Sequence, residues 1–151
     1  NQKTQYVSLL ALKSSLLSGL LAQTFKNIGH RSRPNSSDNK NTWHGPSFGR
    51  GNKAFPSGHT TTAFALATTF AQIYKDKKWV GITSYSIASL AGLSRIHDNK
   101  HWATNVFAGA ILGYLGSKAI LRNEEKNGRI LSIYPSINVG APGLTLLYNL
   151  K

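Results

Sequence analysis

Pro56-Ser57-Gly58-His59 stands directly before residues 60–66 (TTTAFAL), an apolar run with the spacing of an α-helix. Pro-Ser-Gly is a typical turn, and Ser57 can cap the helix that follows. The first N–H groups of a helix have no partners within it, and the helix dipole is positive at that end, so such a start attracts anions. The stretch therefore predicts a helix start that presents a titratable ring, His59, beside an anion site. An ordinary turn with a cap is the alternative.

Two further stretches carry the charges that an anion needs. Residues 26–34 read KNIGHRSRP and contain Lys26 and Arg33, while residues 94–105 read SRIHDNKHWATN and contain Arg95. Lysine supplies a point charge, and arginine supplies planar, paired donors that match the oxygens of a phosphate. A lone arginine beside a proline or a serine is usually a surface residue, so the interpretation depends on whether the three stretches meet.

The three stretches together resemble the motifs of the phosphatidic acid phosphatase type 2 superfamily, which are K-x6-R-P, P-S-G-H and S-R-x5-H-x3-D. The order and all internal spacings match, and the resemblance covers roughly residues 5–121. One position departs from the pattern, because Asn105 stands where the family has aspartate. The resemblance implies a mainly α fold, an antiparallel helix bundle, and a phosphatase that works without a metal.

The resemblance also implies the roles of the site residues. His101 would be the nucleophile that forms a phosphohistidine, which water then hydrolyses, and His59 would be the general acid. An imidazole titrates near neutral pH and can perform either task. The groups expected to bind the phosphate are Lys26, Arg33, Arg95 and the backbone N–H groups around Ser57 and Gly58. We expect no cofactor, no metal site among the histidines, and vanadate as a phosphate mimic.

Asn105 lies four residues after His101, on the same face of a helix. In the family the aspartate at this position accepts a hydrogen bond from the other ring nitrogen of the nucleophile. Asparagine can still accept that bond but supplies no charge, and an Asp→Asn change of this kind costs about 10⁴ in turnover in a serine protease. We therefore expect Asn105, at this catalytic position, to give a lower turnover than aspartate would, while phosphate binding survives. The substitution Asn105→Asp should then raise turnover.

The predicted elements alternate in a way that gathers the motifs. Helices are predicted over about 5–28, 60–75, 79–93 and 102–121, with a long polar loop at 29–59 and a short loop at 94–101. Helices that run up, down, up and down place all three motifs at one end of the bundle. The last predicted helix carries closely spaced glycines that suit close helix contact: Gly109, Gly113 and Gly116.

The tail differs in character from the helical part. We predict an exposed linker at 122–128, then strands at 130–139 and 144–150 around a turn at 140–143, because apolar residues alternate there. The predicted organisation is a helical core over 1–122, with further material expected upstream, and a linker with an extended or hairpin tail, packed on that core, over 123–151.

Charge and hydropathy limit the partners. The chain has 151 residues and a formal charge of +13, but its basic residues are scattered rather than aligned in a stripe, which disfavours nucleic acid. A phosphorylated lipid or a small phosphoester suits the charge better, with possible contact to a membrane surface. Mean hydropathy is −0.24, so a soluble or peripheral protein of the bacterial cell envelope, on the periplasmic side, is slightly favoured over an integral one.

Two other functions stay open at this point. Vanadium haloperoxidases hold vanadate with the same residue types, and a non-catalytic phosphate-binding relative is favoured by Asn105 alone. Phosphate release with and without added vanadate and peroxide separates the three, because vanadate alone should inhibit a phosphatase, whereas vanadate with peroxide and halide should activate a peroxidase.

Overall fold

Helices dominate the computed structural model, which describes residues 2–36, 39, 42–49, 51, 53–127, 131–138 and 141–148. The elements are α1 (Gln2–Gly29), α2 (Gly58–Ile73), α3 (Lys78–His97), α4 (Ala103–Asn127), β1 (Leu131–Asn138) and β2 (Ala141–Tyr148). Consecutive helices run in opposite directions, and α2 packs against each of the other three. The predicted mainly α, antiparallel bundle is therefore confirmed.

The interior of the bundle is built from small and hydroxyl-bearing side chains. On α2 the hydroxyls of Thr61, Thr68 and Thr69 donate to the carbonyls four residues earlier at 2.8–2.9 Å. Thr69 also bonds Ser117 of α4 at 2.9 Å. These hydroxyls are satisfied largely within their own helix, so they can be buried at little cost.

The glycines of α4 bring its backbone close to its neighbours. A Cβ at Gly109 would lie 2.6 Å from the carbonyl oxygen of Ser57, and one at Gly113 would overlap the carbonyl oxygen of Thr61. A Cβ at Gly116 would overlap the hydroxyl of Ser18 in α1. The predicted use of these glycines for close helix contact is confirmed.

The outward faces of α1, α3 and α4 carry large apolar side chains. On α1, Leu12, Leu16 and Leu20 are all more than half exposed and lie on one face. The other large exposed side chains of these helices include Leu21, Phe25, Ile28, Trp79, Ile82, Ile87, Leu90, Leu93, Phe107, Ile111, Tyr114 and Leu115. Within the described residues α1 is the helix long and apolar enough to cross a membrane, over Thr4–Gly29. Apolar surface therefore faces outward while small polar residues face inward.

Several predicted boundaries differ from the structure. The loop predicted at 94–101 begins later in the structure, because α3 continues to His97. Basic residues in the last turn of α3 stabilise it by interacting with the negative end of the helix dipole. The predicted linker at 122–128 is helical through Asn127, since glutamate and lysine are good helix formers.

The tail forms the predicted hairpin, but its turn is shorter than predicted. β1 and β2 pair antiparallel with Asn138 opposite Ala141, so residues 141–143 belong to β2 rather than to a turn. Gly140 lies outside the described residues. The backbone of β1 contacts α1, and the division into a core over 1–122 and a tail over 123–151 stays a prediction.

We expect Gly113→Ala to destabilise the fold, because its Cβ would overlap a backbone carbonyl that cannot move without separating α2 from α4. Overpacking of this kind costs about 1–3 kcal/mol. Gly19→Ala is the matched control, since a Cβ there meets nothing within 4 Å. It should be neutral or stabilise by up to about 1 kcal/mol through helix propensity. Thermal unfolding of both variants is the measurement, and equal midpoints would contradict the close packing.

Candidate active site

His101 follows α3 and is buried, with 5% of its surface exposed. Its Nδ1 lies 2.7 Å from the carbonyl oxygen of Ala54. A carbonyl can only accept, so Nδ1 carries the proton and Nε2 keeps its lone pair in the neutral ring. The backbone N–H of His101 donates to the carbonyl of Arg95 at 3.2 Å. The ring is therefore held in one tautomer, with Nε2 as the nitrogen able to attack.

Positive groups surround this imidazole. Burial lowers the pKa of His101 to about 4; the hydrogen bond to Ala54 opposes this shift, and the charges of Lys26, Arg33 and His59 add to it. Those three groups, from α1, the loop after it and the start of α2, thus lie within electrostatic reach of His101. At neutral pH the imidazole is uncharged, which is the form that a nucleophile requires.

Both the side chain and the backbone of Ser57 make hydrogen bonds within the protein at the start of α2. Its hydroxyl accepts from the Thr60 hydroxyl at 2.9 Å and, at 3.5 Å, from the Thr60 N–H, so it caps α2. Its own N–H donates to the carbonyl of Asn105 at 2.9 Å. This differs from the predicted donation of the Ser57 N–H to phosphate. The ammonium of Lys26 lies beside Gly58 instead, 3.2 Å from where a Cβ would stand.

Arg95 lies in the last turn of α3 and is paired locally. Its guanidinium lies 3.0 Å from a carboxylate oxygen of Asp98, and its Nε donates to the hydroxyl of Ser94 at 3.1 Å. Asp98, which follows α3 directly, is therefore engaged with Arg95. An arriving phosphate would compete with that carboxylate for the guanidinium.

Asn105 lies in the first turn of α4 and is fully buried. Its Oδ1 accepts from Nη1 of Arg31 at 2.6 Å, and Thr104 accepts from the same nitrogen at 2.8 Å. In this structure the carbonyl of Ala54, and not Asn105, therefore accepts from Nδ1 of His101, and the catalytic role of Asn105 stays a prediction. The sequence reasoning missed Arg31 and Ala54. The first lies within the K-x6-R-P stretch, at a position that the pattern leaves open.

A cleft of about 540 Å³ runs between α1 and α2 from the site. Lys26, Gly58 and His59 line one part of it, and Ala22, Ala63 and Leu66 are among the residues of the remainder. Three of the predicted site residues and an apolar lining thus share one continuous space.

Comparison with known proteins connects this site to a family. The family model described as PAP2 superfamily matches residues 7–129, which confirms the resemblance carried by the three motifs. The chain is 48% identical over 63 residues to lipid A 1-phosphatase of Porphyromonas gingivalis, covering 41% of this chain and 14% of that protein. It is 31% identical over 107 residues to probable diacylglycerol pyrophosphate phosphatase 1 of Schizosaccharomyces pombe, covering 60% and 38%. The chain spans less than half the length of either relative.

A solved structure shares the fold. The structure described as the first transmembrane PAP2 type phosphatidylglycerolphosphate phosphatase from Bacillus subtilis aligns with a TM-score of 0.54 and 27% sequence identity. The alignment covers 82% of this chain and 60% of that one.

Burial of neutral His101 makes the stability of the fold dependent on pH. The pKa of His101 is about 4 in the folded chain and about 6.5 in an unfolded one, so the unfolded state binds more protons between these values. Stability is therefore complete above pH 6.5 and falls by up to about 3 kcal/mol as pH drops to 4. The free energy of unfolding, measured between pH 6.5 and 4, should fall in the wild type, and the part of this fall due to His101 should be absent in His101→Gln. An unchanged slope would contradict the buried neutral ring.

Proposed function

Because the chain belongs to the PAP2 superfamily, we propose that it is a membrane-embedded phosphatase acting on a phosphorylated lipid, either a phosphomonoester or a pyrophosphate. The observation that carries the proposal is the neutral imidazole of His101, fixed by Ala54 and surrounded by Lys26, Arg33 and His59. A nucleophile with a free nitrogen among cations suits an electrophilic phosphorus whose oxygens are negative. The names of the relatives support a lipid phosphate as substrate.

The proposed reaction has two steps. Nε2 of His101 attacks the phosphorus, the bond from phosphorus to the leaving oxygen breaks, and His59 donates a proton to that oxygen. Water then attacks the phosphohistidine with His59 as base, and the P–N bond breaks to release inorganic phosphate. Lys26 and Arg33 stabilise the charge on the transferring phosphoryl oxygens, and Arg95 joins them when it leaves Asp98.

The exposed surface supports an integral position in the membrane. Soluble monomers rarely expose apolar patches as extensive as those on α1, α3 and α4. The apolar stretch of α1 over Thr4–Gly29 has 26 residues, more than the about 20 that a helix needs to cross a bilayer core. The sequence had slightly favoured a soluble or peripheral protein, because hydropathy averaged along a helix hides serines and threonines that face inward. The periplasmic side stays a prediction.

The cleft between α1 and α2 supports a lipid rather than a small soluble ester. Lys26 and His59 line its polar part, and its apolar part continues along the helices, where the acyl chains of a lipid would lie if its headgroup reached these two residues. We therefore expect lipid phosphates to be hydrolysed with a lower KM than their short-chain, water-soluble analogues.

Histidine variants test the mechanism directly. His101→Gln should abolish phosphate release from lipid phosphates, because the nucleophile is lost, whereas His97→Gln, at an exposed position nearby, should leave it unchanged. His59→Gln should lose turnover of lipid phosphates by about 10²-fold or more but less with p-nitrophenyl phosphate, whose leaving group needs no proton. An acid-labile phosphoenzyme should form in the wild type and be absent in His101→Gln. Full activity in His101→Gln would end the proposal.

Chelation of divalent metals should leave hydrolysis intact, because lysine and arginine supply the positive charge. Within the described part of the chain, no group of three or more His, Cys, Asp or Glu side chains could hold a metal ion. Phosphate release is measured with and without EDTA, and orthovanadate should inhibit both reactions. Activity that disappears with EDTA and returns with added metal would contradict the phosphohistidine route.

A further inference from the structure

Arg31 is a buried cation at the site to which the three motifs give no role. It is 8% exposed, and its guanidinium carbon lies 5.1 Å from the ring centroid of Trp43 and 5.8 Å from that of Trp102. Two aromatic faces and the neutral oxygens of Asn105 and Thr104 are thus among the contacts of the guanidinium. A charge buried with such contacts has a fixed geometry.

Arg31 reaches His101 by two routes. Its side chain binds Asn105, which lies in the first turn of α4, four residues after His101. Its carbonyl accepts the N–H of Ala54 at 2.9 Å, and the carbonyl of Ala54 in turn accepts from Nδ1 of His101. The first route fixes the start of α4, and the second fixes the group that sets the tautomer.

The amide orientation of Asn105 follows from its contact with Arg31. Turning the amide would set its NH2 group against the N–H of a guanidinium, two donors facing each other. With Oδ1 on Arg31, the Nδ2 group is buried and has no hydrogen-bond partner within the described chain. The contact with Arg31 therefore determines the orientation of the Asn105 amide.

We propose that Arg31 is a positioning residue for the nucleophile: its side chain holds Asn105 at the start of α4, and its carbonyl holds Ala54, whose own carbonyl takes the place of a carboxylate on Nδ1 of His101. The inference rests on the proposed function. Because Ala54 sets the tautomer of His101, turnover does not require a carboxylate at position 105. A carboxylate introduced by Asn105→Asp would pair with Arg31, so the gain in turnover should stay below about tenfold rather than approach the 10⁴ of a serine-protease triad.

Three variants of the full chain in detergent test the side chain of Arg31. Arg31→Met should lower kcat by about 10- to 100-fold with little change in KM, as expected for a misplaced nucleophile. Arg31→Lys should recover part of that loss, since it keeps one charged donor. Lys118→Met is the matched control, because Lys118 lies farther along α4, bonds Gln72 and stands 5.9 Å from the ring of Tyr114. It should keep wild-type kcat.

The tautomer of His101 provides a readout that needs no turnover. ¹⁵N NMR of histidine-labelled protein, with the signals of His101 assigned by their loss in His101→Gln, should show a single Nδ1–H form in the wild type and in Lys118→Met. Arg31→Met keeps the backbone bond to Ala54 but loses the side-chain bond to Asn105, so we expect the start of α4 to shift, the His101 ring to leave the Ala54 carbonyl and a mixture of tautomers to appear. An unchanged single tautomer with unchanged kcat would overturn the inference, and so would a loss confined to KM, which would make Arg31 a substrate contact.

A double variant tests whether Arg31 and Asn105 act as a unit. Arg31→Met combined with Asn105→Ala should lose no more kcat than the worse of the two single variants. Losses that multiply would overturn the pairing, as would a gain above about tenfold in Asn105→Asp. A wild type that hydrolyses no lipid phosphate would defeat the proposed function, and the tautomer measurement would then decide the inference by itself.

Discussion

The hydrogen bond from the N–H of Ser57 to the carbonyl of Asn105, 2.9 Å long, joins the loop before α2 to the first turn of α4. It is possible because Gly109 lies directly against the Ser57 carbonyl, where a Cβ would come within 2.6 Å. The same serine caps α2, so one residue fixes both the start of that helix and its distance from α4. His59 and His101 share one end of the bundle for this reason. A bulky residue at position 109 would push α4 away from Ser57 and so separate His59 from His101 without contacting either ring.

Close packing of this kind requires small residues inside, and the apolar residues that would fill the core of a soluble bundle lie outside. In water that arrangement would leave much apolar surface exposed without a compensating core. In a bilayer the drive to bury large side chains between helices is absent, and small residues with internally bonded hydroxyls give tight contacts. The same distribution serves the proposed chemistry, since the small residues along α1 and α2 leave the cleft that leads from Lys26 and His59.

The sequence predicted the four helices and the common end of the motifs, because helical periodicity and the order of elements are local properties of the chain. It placed the ends of α3 and α4 too early, where polar residues continue a helix as readily as they end it. It missed Ala54 and Arg31, whose roles arise from contacts across a loop without periodicity. It assigned Asn105 to His101 by spacing on one helix face, although a buried guanidinium from a distant segment competes for the same oxygen. Such competition is visible only in three dimensions.

The charge at position 105 affects binding and catalysis in opposite directions. A neutral asparagine adds no negative charge at position 105, so the site is one unit more positive than the family pattern would make it, which favours a phosphate dianion and opposes a positive charge on His101. The cost falls on the step in which the imidazole becomes positive as its bond to phosphorus forms. The substrate itself offsets much of that cost, because the transferring group carries its negative charge onto the ring. The carbonyl of Ala54, a permanent dipole directed at Nδ1–H, offsets more, so a neutral residue at position 105 is compatible with the proposed phosphohistidine route.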